Sequence, residues 1–307
     1  MKILVLGGNG FIGSHVVDEL LAKGHQVHVS DHGKESWRAP LPNVTYFLAD
    51  ISNGPALAEA LQGVDAVIHL VSTTVPSTSN LDPIADIRSN LESCVRLMQL
   101  MVSAKVKRIV FFSSGGTVYG TPKTLPVLES DPLDPICSYG VVKVAIEKYL
   151  GMFEQLYGLS PLIIRPSNPY GPRQGHHGVQ GAVSTFMRKI LLGETISIWG
   201  DGSVKRDYLY VADLAKMCRL AVESEYTGVL NAGSDVGYTL NELCQLIATV
   251  TGKTPIVKHA PARSFDVKEI VLDNNKAKEV LGWQPVTQIG EGLALHHEWM
   301  KGILGLN

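Results

Sequence analysis

Ile3-Leu4-Val5-Leu6-Gly7-Gly8-Asn9-Gly10-Phe11-Ile12-Gly13 is the stretch that decides the fold. A short apolar run ends in spaced glycines. Val16, Val17, Leu20 and Leu21 then recur at helical spacing, and Gly24 closes the segment. The pattern predicts a strand, a tight turn and a helix with a glycine C-cap. Gly7, Gly10 and Gly13 let the backbone turn sharply and approach a pyrophosphate, whose charge then faces the free amides of the helix N-terminus. Asp31 closes the second strand, where a carboxylate accepts from the ribose of an adenosine and repels a 2′-phosphate. That favours NAD over NADP, against the nearby His32, Lys34 and Arg38.

The alternation continues outward. Lys2–Leu6, Gln26–Ser30, Val44–Leu48, Ala66–Leu70 and Arg108–Ser113 read as buried strands, and Gly13–Lys23, Pro55–Gln62 and Ile84–Ala104 as helices between them. Strands separated by helices imply an α/β fold, a Rossmann-type doubly wound parallel sheet. A helix at Tyr139–Tyr157 leads to a strand at Leu162–Arg165. Ser167–Gly181, rich in Pro, Gly and polar residues, reads as a long loop over a site. Helices resume at Ala182–Leu192, Val211–Glu223, Leu240–Thr251, Asn274–Leu281 and Ile289–Lys301, with strands at Thr195–Trp199 and Gly228–Ala232. The expected division is an NAD-binding domain over 1–165 and a smaller, mixed α/β substrate-binding lobe over most of 166–307. The chain is expected to return to the first sheet around 206–240.

Composition narrows the function. Of 307 residues, 45% are hydrophobic and 18% charged, too apolar for a disordered chain, and the longest apolar runs are strand-length rather than membrane-spanning. Lys plus Arg number 27 against 29 Asp plus Glu, so nothing pulls the protein toward nucleic acid or acidic membranes. Any bound anion must be held by local groups. The strand pattern at Ile3–Leu6 is not a signal peptide, and Cys94, Cys137, Cys218 and Cys244 lack CxxC pairing. They read as reduced, packed thiols of a cytoplasmic protein. His176, His177, His296 and His297 lack metal-ligand partners and read as loop or surface histidines, so no metal site is expected.

Tyr139 and Lys143 stand one helical turn apart and project from one face. A phenol titrates near ~10 and is a poor base at neutral pH. An ammonium beside it, with the positive nicotinamide ring of NAD⁺, favours the phenolate. A Tyr-x-x-x-Lys pair alone is common by chance. Here it joins the glycine turn, Asp31, Asp50, Phe112-Ser113-Ser114 and Val118-Tyr119-Gly120, and the chain resembles the extended short-chain dehydrogenase/reductase family over nearly its whole length. Arg165-Pro166-Ser167-Asn168-Pro169-Tyr170-Gly171-Pro172, Gly200-Asp201-Gly202, Arg206-Asp207-Tyr208 and Leu281-Gly282-Trp283 make the second half similar to the sugar-nucleotide epimerase branch, the UDP-galactose 4-epimerase type.

The resemblance implies NAD contacts from Gly7, Gly10, Phe11, Ile12, Gly13, Asp31, Asp50, Ile51, Leu70, Asn90, Ser113, Tyr139, Lys143 and Pro166. It implies a UDP-sugar held by Asn168, Arg206, Arg263 and Asp266. Two guanidiniums suit a diphosphate, and Asp266 suits a ribose or uracil donor; the rival reading of Arg206 is an ion pair with Asp207, and of Arg263 an exposed loop charge. One departure stands out. Gly115 occupies the place where the family carries the Ser or Thr that bonds the sugar's 4-OH, so Ser114 or Thr117 must supply the hydroxyl, with Ser114 favoured by its place at the strand end. Ile270 matches a position that gates N-acetylated sugars, and its intermediate bulk leaves both sugar types open. Ser72-Thr73-Thr74-Val75-Pro76-Ser77-Thr78 forms a hydroxyl-rich loop that either contacts the sugar or caps a helix.

Gly115-Gly116 supplies no carboxylate for dehydration or decarboxylation. The expected activity is therefore NAD-dependent C4 epimerisation of a UDP-hexose or UDP-N-acetylhexosamine through a 4-keto intermediate. The alternatives are another NAD-dependent nucleotide-sugar enzyme (decarboxylase, dehydratase or reductase) and a non-catalytic dinucleotide-binding regulator. Relatives often pair through two long helices, so a homodimer is expected.

Overall fold

In the computed structural model, which describes residues 1–175, 181–261 and 267–306, the glycine turn joins β1 (Lys2–Leu6) to α1 (Phe11–Ala22). There follow β2 (Gln26–Asp31), β3 (Val44–Leu48), α2 (Gly54–Ala60), β4 (Ala66–His69), α3 (Pro83–Asp86), a π-helical turn (Ile87–Glu92), α4 (Ser93–Ala104), β5 (Arg108–Phe112), α5 (Ser138–Tyr157) and β6 (Ser160–Pro166). All seven strands of the main sheet are parallel, ordered β10-β6-β5-β4-β1-β2-β3, where β10 (Gly228–Ala232) arrives much later in the chain. This is the doubly wound Rossmann arrangement, which places a ligand crevice outside the carboxyl ends of the strands where the order reverses between β1 and β4.

A parallel sheet is covered on both faces, which is why its strands read as continuous apolar runs. Ile3, Val5, Ile68, Val110 and Leu162 point to one face, against Val16, Val17 and Leu20 of α1 and Leu214, Met217 and Cys218 of α7 (Val211–Glu223). Leu4, Leu6, Val67, Ile109 and Phe111 point to the other, against Leu97, Met98 and Met101 of α4 and Val142, Ile146 and Leu150 of α5.

Between β6 and β10 lie β7 (Asn168–Tyr170), α6 (Ala182–Leu192), β8 (Thr195–Trp199), β9 (Lys205–Tyr210) and α7. After β10 come β11 (Gly237–Thr239), α8 (Leu240–Thr251), β12 (Ile256–Ala260), β13 (Glu269–Ile270), α9 (Asn275–Leu281) and α10 (Ile289–Leu304). β9 is the hub of a small sheet, pairing with β7, β11 and β13, while β8 and β12 form a parallel pair.

Three expectations need correction. The stretch read as a long loop contains β7, three residues that become a strand only by pairing Asn168, Pro169 and Tyr170 with Tyr208, Leu209 and Tyr210. The helix read over Ile84–Ala104 is interrupted by the π turn. There the Asn90 side-chain amide bonds the carbonyl of Asp86, an acceptor that the backbone N–H of Asn90 would take in an α-helix. Buried His296 is no surface residue: its imidazole bonds Ser184 at 2.9 Å and stacks on Trp299.

A buried ion pair ties α5 to the sheet. Arg165 of β6 donates from Nε and Nη2 to Glu147 of α5 (3.1 and 2.6 Å), and from Nη1 to the Tyr119 hydroxyl (2.9 Å). Removing one partner leaves an uncompensated interior charge. Glu147→Ala should therefore lower unfolding free energy in a urea titration by about 3–5 kcal/mol. Glu92→Ala, which breaks the exposed pair with Arg96, should cost under about 0.5 kcal/mol.

Candidate active site

The glycine turn is built so that only glycine fits. Gly7 has φ +82°, and a Cβ on Gly13 would stand 2.0 Å from the Gly7 carbonyl oxygen. α1 begins at Gly10 with no side-chain cap, leaving its first amides free to face an anion. Asp31 at the end of β2 accepts from the amides of Asn9 (3.0 Å) and Gly33 (3.3 Å), which binds the acid to the turn. The nearby Arg38 is committed to Asp18 and Glu35, so it is not a free cation waiting for a 2′-phosphate.

From this turn a cavity of about 680 Å³ runs across the carboxyl ends of the strands, a size suited to a cofactor and substrate together. Gly7, Gly10, Phe11, Ile12, Gly13 and Leu70 line one end. Ser113, Ser114, Thr117, Tyr139, Lys143 and Pro166 line the middle, and Asn168 and Arg206 the far side. Of the other anticipated cofactor residues, Asp31 and Asp50 stand at strand ends outside the lining, Ile51 is packed in the core, and Asn90 is turned onto Thr73 and Asp86. Arg263 and Asp266, like His176 and His177, lie outside the described residues.

Tyr139 and Lys143 sit in the first turns of α5, Lys143 buried and Tyr139 half-buried where it lines the cavity. Ser72 and Ser114 line the cavity together with Tyr139. Lys143 donates to the Phe112 carbonyl at 2.8 Å, and its ammonium stands 5.5 Å from the Tyr139 ring centre. Burial decides both titrations in the protein alone. It pushes the phenol up to about 12 and pulls the amine down to about 8. The anticipated depression of the phenol by Lys143 is thus outweighed by desolvation.

Both candidate hydroxyls, Ser114 and Thr117, line the cavity with Tyr139, and that of Thr117 is buried with no hydrogen-bond partner among the described residues. Gly115 has no room for the family's usual side chain, because a Cβ there would meet Leu272 at 2.4 Å and the Arg165 carbonyl at 3.0 Å. Along β9, alternation separates neighbours: Arg206 lines the cavity, and Asp207 turns inward to accept from Ser234 and the amide of Leu272. The rival Arg206–Asp207 ion pair gives way to that inward hydrogen bonding. Ile270 is 1% exposed in β13 and is not among the described residues that line the cavity. Ser72, Thr74 and Ser77 do line it, as do Trp199 and Tyr208, which sequence reasoning did not single out for the site. The signal for the Ser72 loop was its hydroxyl density; for Trp199 there was only strand alternation.

This constellation, a glycine turn on a parallel sheet sharing a cavity with a Tyr–Lys pair one helical turn apart, defines an NAD-dependent enzyme of the short-chain dehydrogenase/reductase type. Residues 3–233 match the model of the NAD dependent epimerase/dehydratase family, and the chain belongs to that family. It is 38% identical to a UDP-glucose 4-epimerase of Mycolicibacterium smegmatis, covering 98% of this chain and 99% of that one. Among solved structures it resembles the UDP-glucose 4-epimerase of Thermotoga maritima with UDP-glucose (TM-score 0.94, 36% identity, 99% and 100% coverage). It also resembles that of Thermus thermophilus in complex with NAD (TM-score 0.93, 34% identity, 98% and 99% coverage).

Gly13→Ala forces a methyl into the Gly7 carbonyl. The NAD dissociation constant, measured by calorimetric titration, should rise by at least about tenfold. Gly115→Ser should lower activity rather than raise it, because the new side chain displaces Leu272.

Proposed function

We propose that this protein is an NAD-dependent sugar-nucleotide 4-epimerase acting on a UDP-hexose or UDP-N-acetylhexosamine. The observation that carries the reading is the placement of Tyr139, with Lys143 one turn further along α5, in a cavity that runs from the glycine turn to Arg206. Bound NAD⁺ supplies the hydride acceptor, the donor on return, and a positive ring that favours the phenolate. Gly7, Gly10 and Gly13 hold its pyrophosphate and Lys143 its nicotinamide ribose. Tyr139 takes the proton of the sugar 4-OH and returns it. Ser114 orients that oxygen. Asn168 and Arg206, with Arg263 and Asp266, keep the nucleotide in place while the 4-keto sugar turns over and presents its other face. Gly115 and Gly116 put no carboxylate beside the sugar, which disfavours dehydration and decarboxylation.

We place the enzyme in the cytoplasm, with its cysteines unpaired, and assemble it as a homodimer. Val141, Tyr149, Met152 and Leu156 form an exposed apolar face on α5, beside exposed Ile84 and Ile87 of the adjoining helix. Tyr149→Glu combined with Leu156→Glu should convert a dimer to a monomer in sedimentation equilibrium; a parent that already sediments as a monomer rejects this assembly.

The activity itself is tested by incubating the protein with UDP-glucose, UDP-galactose and their N-acetylated counterparts and resolving products by NMR and mass. Epimers of unchanged mass are expected, with no loss of water or carbon dioxide. Tyr139→Phe should retain NAD and lose about 10²–10⁴-fold in kcat. Near-parental turnover would reject Tyr139 as the base. The pH profile should rise with pH as the phenol ionises and fall away on the acid side, because only the phenolate can accept the proton.

A further inference from the structure

Ser72, Thr74, Val75, Pro76 and Ser77 line the cavity, and they belong to a stretch after β4 with no helix or strand of its own. Side-chain bonds hold this loop in place of a strand ladder. The Thr73 amide donates to Asn90 at 2.9 Å, and the Thr74 hydroxyl to one oxygen of the Asp86 carboxylate at 2.6 Å. The start of α5 is held in the same way. Its N-cap residue, Cys137, makes no side-chain cap. Ser138, the first helical residue, instead gives its amide to Asn80 at 2.9 Å and its hydroxyl to the other oxygen of Asp86 at 2.7 Å. Tyr139 is the next residue.

Asp86 is thus bonded to both segments. It ends α3, is 0% exposed, and is not among the described residues that line the cavity. A carboxylate taken out of water is costly unless donors meet it, and as an acceptor-only group it can collect several at once. Thr74 and Asn90 share one oxygen, Asn90 at 2.8 Å, and Ser138 takes the other. Asn90 stands in the π turn, a feature that recurs at functional sites, and its side chain spans from Asp86 to the Thr73 amide. An apolar contact would hold the loop and the helix together without setting their register. Hydrogen bonds to opposite oxygens of one charged group fix angle as well as distance.

We propose that Asp86 is a positioning residue: by holding Thr74 with one oxygen and Ser138 with the other, it fixes the distance between a loop that contacts the sugar and the Tyr139 phenol. This rests on the proposed reaction at Tyr139, and the test separates the two ideas. Steady-state kinetics and calorimetric binding of UDP-glucose are measured on the NAD-loaded parent, Ser138→Ala, Ser138→Thr, Thr74→Val and Asp86→Ala. Ser138 leads to the base, so Ser138→Ala should lower kcat about tenfold with KM within about twofold of the parent, and Ser138→Thr should restore it. Thr74 leads to the loop, so Thr74→Val should raise KM and the UDP-glucose dissociation constant about fivefold with kcat within about twofold. Asp86→Ala should show both losses. Adding Ser138→Ala or Thr74→Val to it should change neither constant by more than about twofold, because both ties are already cut. The two single-hydroxyl variants carry the test if Asp86→Ala does not fold. Single variants indistinguishable from the parent overturn the role of Asp86, as do further losses in the Asp86→Ala background. A lowered kcat and a raised KM together in both single variants, the mark of a loosened fold, overturn it too. A parent that epimerises no sugar nucleotide overturns the proposed reaction alone when Thr74→Val and Asp86→Ala weaken UDP-glucose binding equally. It overturns both ideas when they weaken it unequally or not at all.

Discussion

The Glu147–Arg165 pair is the interaction on which the active geometry depends. Taking a carboxylate and a guanidinium out of water costs several kcal/mol each, and such a pair is tolerated only when the remaining donors and acceptors are used. Here they are engaged: Ser113 donates to Glu147, Arg165 donates to the Tyr119 hydroxyl and the Glu129 carbonyl, and Tyr119 donates to the side-chain carbonyl of Asn231 in β10. Glu147 lies one turn beyond Lys143 on α5. Lys143 is tied to Phe112 and Glu147 to Ser113, so the last residue of β5 and the one after it set the height and rotation of the helix that presents Tyr139. A bidentate pair fixes orientation as well as distance, which a hydrophobic contact would not do.

The same burial that makes this anchoring rigid works against the chemistry. Desolvation raises the Tyr139 phenol and lowers the Lys143 amine, and it drives buried His69 down to about 3. The imidazole is therefore neutral and adds no second positive charge beside Lys143. The protein alone keeps the phenol protonated. In the proposed mechanism base strength would come from the positive ring of bound NAD⁺ beside that oxygen, tying proton abstraction to an occupied cofactor site.

Much of this was legible in the sequence because it follows from short-range rules. The glycine spacing, the apolar strands and the Tyr139–Lys143 turn all depend on residues close together in the chain. β7, β9, β11, β12 and β13 escaped, since strands of two to six polar or mixed residues exist only through partners far away in the chain. The π turn escaped because helical periodicity does not register one extra residue per turn. Within the site, Gly115 was visible as a departure, but that Leu272 fills its space was not, because the two meet only after β13 has docked. His296 looked like one of an exposed pair, and a partner on α6 buried it.

The position of β10 has a consequence for biosynthesis. The sheet cannot be completed when β6 leaves the ribosome, because the strand that covers its outer edge is encoded after β7, α6, β8, β9 and α7. At about 5–20 residues per second the nascent chain carries a naked, apolar strand edge for several seconds, and such an edge is a template for aggregation. A holdase chaperone that shields the half-made sheet would protect this protein during translation more than after release.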